Sequence, residues 1–154
     1  MKDVIIQLIA AVFGSIGYGI LFNILPKRIP FIALGGLLTW SIYLISSYFF
    51  EGYILPNLIA TVIAGIYVEI FARIIKVPVI VLLLPSIVPL VPGAGLYYTL
   101  YNFINKDYTA CVDKLFPTFM ICIGIAAGMI ISSIIGSSIK KPSFIQKKKQ
   151  LLIF

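Results

Sequence analysis

From Val4 to Leu25 the chain carries no charged side chain, and mostly apolar runs of comparable length recur at about 31–50, 57–75, 77–104 and 115–138. A helix needs roughly 20 predominantly apolar residues to cross the hydrocarbon of a bilayer, and each run meets that length. Between them lie Pro26-Lys27-Arg28-Ile29-Pro30, Glu51-Gly52-Tyr53-Ile54-Leu55-Pro56, Arg73 with Lys76, and the polar stretch Asn105 to Lys114. The chain has 154 residues, 61% of them hydrophobic and 11% charged. A soluble domain carries about 45–50% apolar and about 25% charged residues, and one small core cannot hide this much apolar surface from water. The expectation is an all-α integral membrane protein with about five transmembrane helices. They form a single helical domain over residues 1–139, followed by a basic cytoplasmic tail over 140–154.

The formal charge of +7 invites comparison with nucleic-acid binders. The basic residues stand at the ends of apolar segments, however, where membrane topology accounts for them, so no nucleic-acid partner is expected. Placing the Pro26–Pro30 loop in the cytoplasm puts Lys27, Arg28, Arg73, Lys76, Lys140, Lys141, Lys147, Lys148 and Lys149 on the inside, leaving Lys2, Lys106 and Lys114 outside. Five crossings then give an outer N-terminus and a cytoplasmic C-terminus. The tail from Lys140 to Lys149 reads as a topology anchor, with binding to anionic lipid as the alternative. Val4–Leu25 is too long for the apolar core of a signal peptide and is expected to be a retained helix. The chain has no histidine, the commonest general base and transition-metal ligand. Cys111 and Cys122 lack metal-site spacing. No H-E-x-x-H, G-x-S-x-G or Walker loop is present. Neither an enzyme nor a cofactor or metal site is expected.

The fourth run is the place where chemistry concentrates. Pro85, Pro89 and Pro92, followed by Gly93 and Gly95, each remove a helical donor or loosen the backbone. A helix broken inside hydrocarbon exposes peptide groups that are tolerated only against protein or a water-filled cavity. Interrupted helices of this kind supply substrate sites in many transporters. Ser86, Pro89, Pro92, Gly93, Gly95 and Tyr97 are therefore candidates for a substrate path. The plainer alternative is a kinked structural helix. Tyr97, Tyr98 and Tyr101 either line that path or belong to an interfacial aromatic belt.

Glu69 and Arg73 stand four apart on the third run, so they share one helix face and can pair. Ionisable residues within a span face the bundle interior and mark proton or substrate routes. The pair is a candidate for proton coupling or, more plainly, a structural ion pair near the interface. On the fifth run Gly124, Gly128, Ser132 and Gly136 recur every four residues. That small-residue face lets another helix come close, either in this chain or in another subunit, so a homo-oligomer stays open. Thr39, Asn57 and Thr61 read as interhelical hydrogen-bonding groups.

Taken together, Glu69-Ile70-Phe71-Ala72-Arg73, Lys76-Val77-Pro78 and the run from Pro85 to Tyr97 resemble the signature of the threonine/serine exporter family. The resemblance is to the small single-module type, similar to the C-terminal half of the long exporters. Phe22-Asn23 with Pro26-Lys27-Arg28, and Gly35-Gly36, resemble the early part of the same module. The resemblance implies one subunit of a two-component bacterial inner-membrane exporter. Its substrates would be threonine- or serine-like amino acids or dicarboxylates, and the proton gradient would drive it. It implies a second membrane subunit resembling the family's N-terminal half. It places weight on Glu69, Arg73, Pro85, Pro89, Pro92, Gly93 and Tyr97. The rival expectations are a non-transporting scaffold that stabilises a membrane partner through the Gly124–Gly136 face, and, with least support, an intramembrane enzyme.

Overall fold

The computed structural model describes residues 2–138, which contain helices and short connections and no strand. In order these are α1 (Lys2–Leu21), a 3-10 turn (Pro26–Arg28), α2 (Ile29–Phe49), α3 (Ile54–Ile74), α4 (Val79–Ile87), a second 3-10 turn (Val88–Leu90), α5 (Gly93–Ile104) and α6 (Tyr108–Ser138). The expected all-α membrane fold is the observed one. Four of the helical stretches are long and apolar enough to cross a bilayer, and the number is five when the broken pair Val79–Leu90 and Gly93–Ile104, bent by 62°, is counted as one span. The basic tail, with Lys140, Lys141, Lys147, Lys148 and Lys149, lies outside the described residues.

Three helices end in the same way. After α1 the N–H of Asn23 donates to Ile20 C=O (2.9 Å) and that of Ile24 to Gly19 C=O (3.0 Å). After α3, Lys76 and Val77 bond to Arg73 and Ala72; after α5, Lys106 and Asp107 bond to Phe103 and Asn102. These are paired closures of the last turn that satisfy carbonyls a helix end leaves open. They require a left-handed residue at the exit, and Asn23, Lys76 and Lys106 have φ of 53°, 54° and 61°. The first helix thus stops at Leu21, before the apolar run does. The sixth starts early for a converse reason. Asp107 Oδ1 accepts the Ala110 N–H (3.1 Å) and the Thr109 hydroxyl (2.8 Å), capping α6, so most of the polar stretch Asn105–Lys114 is helical.

Helix directions follow from the contacts. α1 and α2 are antiparallel, with Gly19 against Ile32 and Ser15 against Gly36. α2 and α3 are antiparallel, Tyr67 donating to Phe31 C=O (3.0 Å) and Phe71 packing on Phe31 at 5.5 Å. α3 and α6 run parallel: Gly124 meets Asn57, Gly128 meets Thr61, Ser132 meets Gly65 and Gly136 meets Glu69. The small-residue face of α6 is thus taken by α3 of the same chain. The approach is close enough that a Cβ on Gly128 would sit 2.7 Å from Thr61 Cβ and 2.9 Å from Leu58 C=O.

Parallel packing has a topological consequence. The chain leaves α3 at its Ile74 end and must return to the opposite end to start α6. The broken segment makes that return. Val79, Ile80 and Leu83 share a cavity with Glu69, whereas Val91 to Gly95 share one with Tyr53, at the start of α3. The segment therefore traverses the bundle rather than dipping in and out. α3, with 21 residues, is about 31 Å long at 1.5 Å per residue, close to the ~30 Å hydrocarbon. The 31 residues of α6 span about 46 Å, and the α5–α6 hairpin, where Gly95 faces Thr118, extends past the start of α3. Lys27, Arg28, Arg73 and Lys76 gather at one end of the bundle; Lys2, Lys106 and Lys114 lie at the other.

Gly128→Ala is expected to lower thermal stability in detergent by about 1–3 kcal/mol, the usual penalty of overpacking. Gly14→Ala, where nothing lies within 4 Å, is expected to be neutral or stabilising. The two bonds from Ala110 and Thr109 hold the Asp107 carboxyl below its ordinary value. The sign is that of a depressed acid: the cap is fully present above the ordinary carboxylate range and is lost as pH falls through the lowered value. Amide-exchange protection at Ala110 and Cys111, taken relative to the intrinsic exchange rate at each pH, should fall on acidification in the wild type, and that fall should vanish in Asp107→Asn.

Candidate functional site

Pro85 stands inside α4, and the helix gives way to the 3-10 turn two residues later. Pro85 and Pro89 have no N–H, so each deprives a carbonyl of the preceding turn of its helical donor. This part of the segment is interior, not lipid-facing: Pro85 and Ser86 are fully buried and Ile87 is buried. Ser86 lies against Gly35 of α2, and one residue along, Gly36 lies against Ser15 of α1. The Gly35-Gly36 pair is thus the point where α1, α2 and α4 converge. Thr39, also fully buried, turns its hydroxyl back onto Gly35 C=O (2.7 Å).

Among the described residues three buried polar side-chain atoms have no hydrogen-bond partner: Ser15 Oγ, Ser86 Oγ and Trp40 Nε1. Each such group costs about 1–3 kcal/mol relative to a satisfied one. Their clustering beside a segment with proline-freed carbonyls makes the α1–α2–α4 junction the polar interior of the bundle. Ser86 was a sequence candidate. Ser15 and Trp40 were not; small residues at Ser15, Gly19, Gly35 and Gly36 are the signal in the sequence that could have pointed to a close helix contact there.

The other candidates separate. Pro89 faces Trp40 and α1. Pro92, Gly93 and Gly95 line a cavity of about 460 Å³ with Tyr53, Asp113 and Lys114 at the α5–α6 hairpin, toward the start of α3. Tyr97 is 62% exposed, edge-on to Tyr98 and stacked 6.2 Å from Tyr101. It lies on the outer surface of α5, away from Ser86. The proline-glycine run is therefore two places, a buried one at Ser86–Pro89 and a peripheral one at Pro92–Gly95.

Glu69 and Arg73 are paired at 3.0 Å, with side chains 12% and 25% exposed. Arg73 also donates to the C=O of Gly136 on α6. The guanidinium so joins the ends of α3 and α6. Glu69 borders a cavity of about 220 Å³ with Val79, Ile80, Leu83 and Ser132, which gives it α4 as a neighbour. Among the described residues no grouping of His, Cys, Asp and Glu could hold a metal ion.

The sequence pattern of the family described as Threonine/Serine exporter, ThrE, matches residues 7–135. The chain belongs to the threonine/serine exporter family. No curated protein and no solved structure matches it. The family match runs from Gln7 to Ile135 and so takes in the α1–α2–α4 junction, the ion pair and the whole broken segment. This is accordingly a multi-pass membrane protein of an exporter type, and the resemblance read from Glu69–Arg73 and Pro85–Tyr97 identified the family.

Arg73→Met removes the ion pair and the bond to Gly136 together and leaves Glu69 unpaired and largely buried. It is expected to destabilise by about 1–3 kcal/mol, measured by thermal unfolding in detergent. Glu69→Gln keeps the guanidinium on Gly136 and should cost less.

Proposed function

We propose that the chain is one subunit of a two-component exporter of small polar metabolites, threonine- or serine-like amino acids or dicarboxylates, working in a bacterial inner membrane. The observation that carries the reading is the unpaired, fully buried Ser86 hydroxyl beside proline-freed backbone in a traversing segment. A purely structural crossing has no use for unpaired polar groups in its interior, whereas a transporter uses them as transient ligands. Glu69 is the protonatable group and Arg73 its partner. Protonation of Glu69 would free the guanidinium from one of its contacts and change how α3 meets α6. Pro92, Gly93 and Gly95, with Tyr97 outside them, form the entrance or exit at the α5–α6 hairpin.

The gathering of Lys27, Arg28, Arg73 and Lys76 at one end favours a cytoplasmic position for that end, with the N-terminus outside. A second membrane subunit, resembling the family's other half, is supported by large apolar side chains left open on the hairpin: Ile104 is 76% exposed and Tyr108 60%. The alternative of a non-transporting scaffold drew on the Gly124–Gly136 face, which α3 occupies.

Co-expression with the presumed partner and measurement of threonine, serine and succinate efflux tests the proposal. The wild type should export at least one of these solutes in a manner abolished by a protonophore. Glu69→Gln should reduce export tenfold or more at equal membrane abundance. Unchanged export in Glu69→Gln removes the proton role, and loss of the chain that affects only the partner's abundance in the membrane favours the scaffold.

A further inference from the structure

α1 ends and α4 begins at the same end of the bundle, and a surface groove of about 190 Å³ is lined by residues that follow the first and open the second: Phe22, Ile24, Ile80, Val81, Leu84 and Pro85. All six are apolar, and Phe22, Ile80 and Leu84 are exposed. The groove presents no hydrogen-bonding side chain, and it is smaller than the roughly 300–1,000 Å³ of a pocket that encloses a small molecule. What it suits is a stretch of hydrocarbon chain. Its depth agrees. The α4 wall ends at Pro85, in a helix that starts at Val79, so it reaches about 9 Å along that helix at 1.5 Å per residue. α3 matches the hydrocarbon thickness, which puts Lys76, just past its end, at the level of the headgroups. The groove therefore lies where the first part of an acyl chain runs.

Each wall also runs into positive charge. Shortly after Ile24 come Lys27 and Arg28, in a turn bracketed by Pro26 and Pro30 and closed by the Arg28 N–H on Leu25 C=O (2.8 Å). Shortly before Ile80 stands Lys76, at the exit of α3. No surplus of acid answers these cations. Of the five acidic residues in the sequence, Asp3, Glu51, Asp107 and Asp113 lie at the opposite end of the bundle, and Glu69 is bonded to Arg73. Among the described residues no carboxylate pairs with Lys27 or Arg28.

We propose that this groove is a binding site for an anionic phospholipid of the surrounding leaflet, with an acyl chain against Phe22, Ile80 and Leu84 and the phosphate on Lys27 and Arg28. A guanidinium offers a phosphate two parallel N–H bonds, and basic pockets between spans take anionic headgroups. Two cations on a slack loop would attract such lipids without holding one in place. Here the flanking prolines limit the loop, and the groove gives the chain of the same lipid a seat, so head and tail are fixed together. A phosphatidylcholine fits the groove equally well but brings its own cation to Lys27 and Arg28. The site goes beyond the exporter reading and does not depend on it: it lies on the outer side of α1 and α4 and needs neither solute nor second subunit.

The test uses the full chain purified in detergent and two lipids with identical acyl chains, dioleoyl phosphatidylglycerol and dioleoyl phosphatidylcholine. Titration followed by native mass spectrometry should show phosphatidylglycerol retained in preference to phosphatidylcholine. Lys27→Gln and Arg28→Gln should each weaken phosphatidylglycerol binding about fivefold, as expected for one cation beside an anionic lipid. Leu84→Trp fills the groove from an exposed position and should weaken binding with both cations intact, while Ile45→Trp, on an exposed face of α2, should not. Lys140→Gln with Lys141→Gln controls for the basic tail and should leave binding unchanged. A phosphatidylglycerol with a diazirine on its acyl chain should label the peptides that hold Phe22 and Ile80–Leu84 above other exposed apolar stretches. Thermal unfolding in lipid-free detergent verifies that each variant is folded, and Ile80→Trp replaces Leu84→Trp if the latter is not. Equal retention of the two lipids, a loss from the tail variant as large as that from the loop variants, undiminished binding with the groove filled, or labelling spread evenly over the exposed helices would each overturn the site.

Discussion

Everything in this fold follows from the parallel contact between α3 and α6. Lipid tails are as apolar as leucine, so burying apolar side chains does little to hold two helices together in a bilayer, and close packing must do it. Here the packing is backbone against side-chain stem: Gly124, Gly128, Ser132 and Gly136 on one helix, Asn57, Thr61, Gly65 and Glu69 on the other, all at four-residue spacing. The matched spacing fixes the register as well as the separation. Because the two helices point the same way, the intervening chain has to cross once more. That crossing cannot be an ordinary span, since it begins just after α3 ends and must hand over to a hairpin that overshoots the start of α3.

The broken segment meets this demand by changing character as it goes. Its first part, α4, is short and packs on α2 and α3 through Leu82, Leu83, Pro85, Ser86 and Ile87, leaving Ile80 and Leu84 exposed. Pro85 and Pro89 then shorten the hydrogen-bonded ladder, and the 62° bend before α5 turns the chain outward along α6. Prolines in hydrocarbon are admissible only where something other than lipid meets the freed peptide groups. Burial of Pro85, Ser86 and Ile87 satisfies the first half of that condition, exclusion from lipid. The unpaired hydroxyl of Ser86 shows that the second half, full hydrogen bonding, is not met in the closed bundle. Tight packing without full polar satisfaction is a costly combination, and the junction of α1, α2 and α4 is where the chain sustains it.

Much of the architecture was legible in the order of residues because the bilayer allows so few solutions. Five apolar runs of spanning length left little choice of fold class, and Glu69 with Arg73 could be paired from their spacing alone. What stayed illegible was which face meets which. The Gly124–Gly136 stripe announced a close neighbour but not that the neighbour is α3, nor that it runs parallel. Polar residues from Asn105 to Lys114 looked like a loop, since hydropathy does not register that Asp107 caps a helix. The run from Pro85 to Tyr97 looked like one site because it is continuous in sequence; a sharp bend carries its second half away from the first. Ser15 stands among small residues, with Gly14, Gly17 and Gly19 close by, and nothing in the sequence sets it apart. Its hydroxyl becomes conspicuous only when Gly36 is placed against it with no acceptor in reach.

The same geometry links the ion pair to the α1–α2–α4 junction. α4 has two sides in use: Val79, Ile80 and Leu83 border the cavity of Glu69, while Ile80, Val81, Leu84 and Pro85 border the cavity beside α1. Ile80 belongs to both. α4 is only nine residues long and is bounded by Pro78 before it and the Pro89 turn after it. Arg73 ties Glu69 to Gly136 of α6, so α3 and α6 are joined at this level. Under the proposed exporter reading, a change of charge at Glu69 alters the surface that α4 rests on, and Ser86 of the same helix rests against Gly35. Proton and solute then need not share a site. A short helix packed between them is sufficient to make one depend on the other.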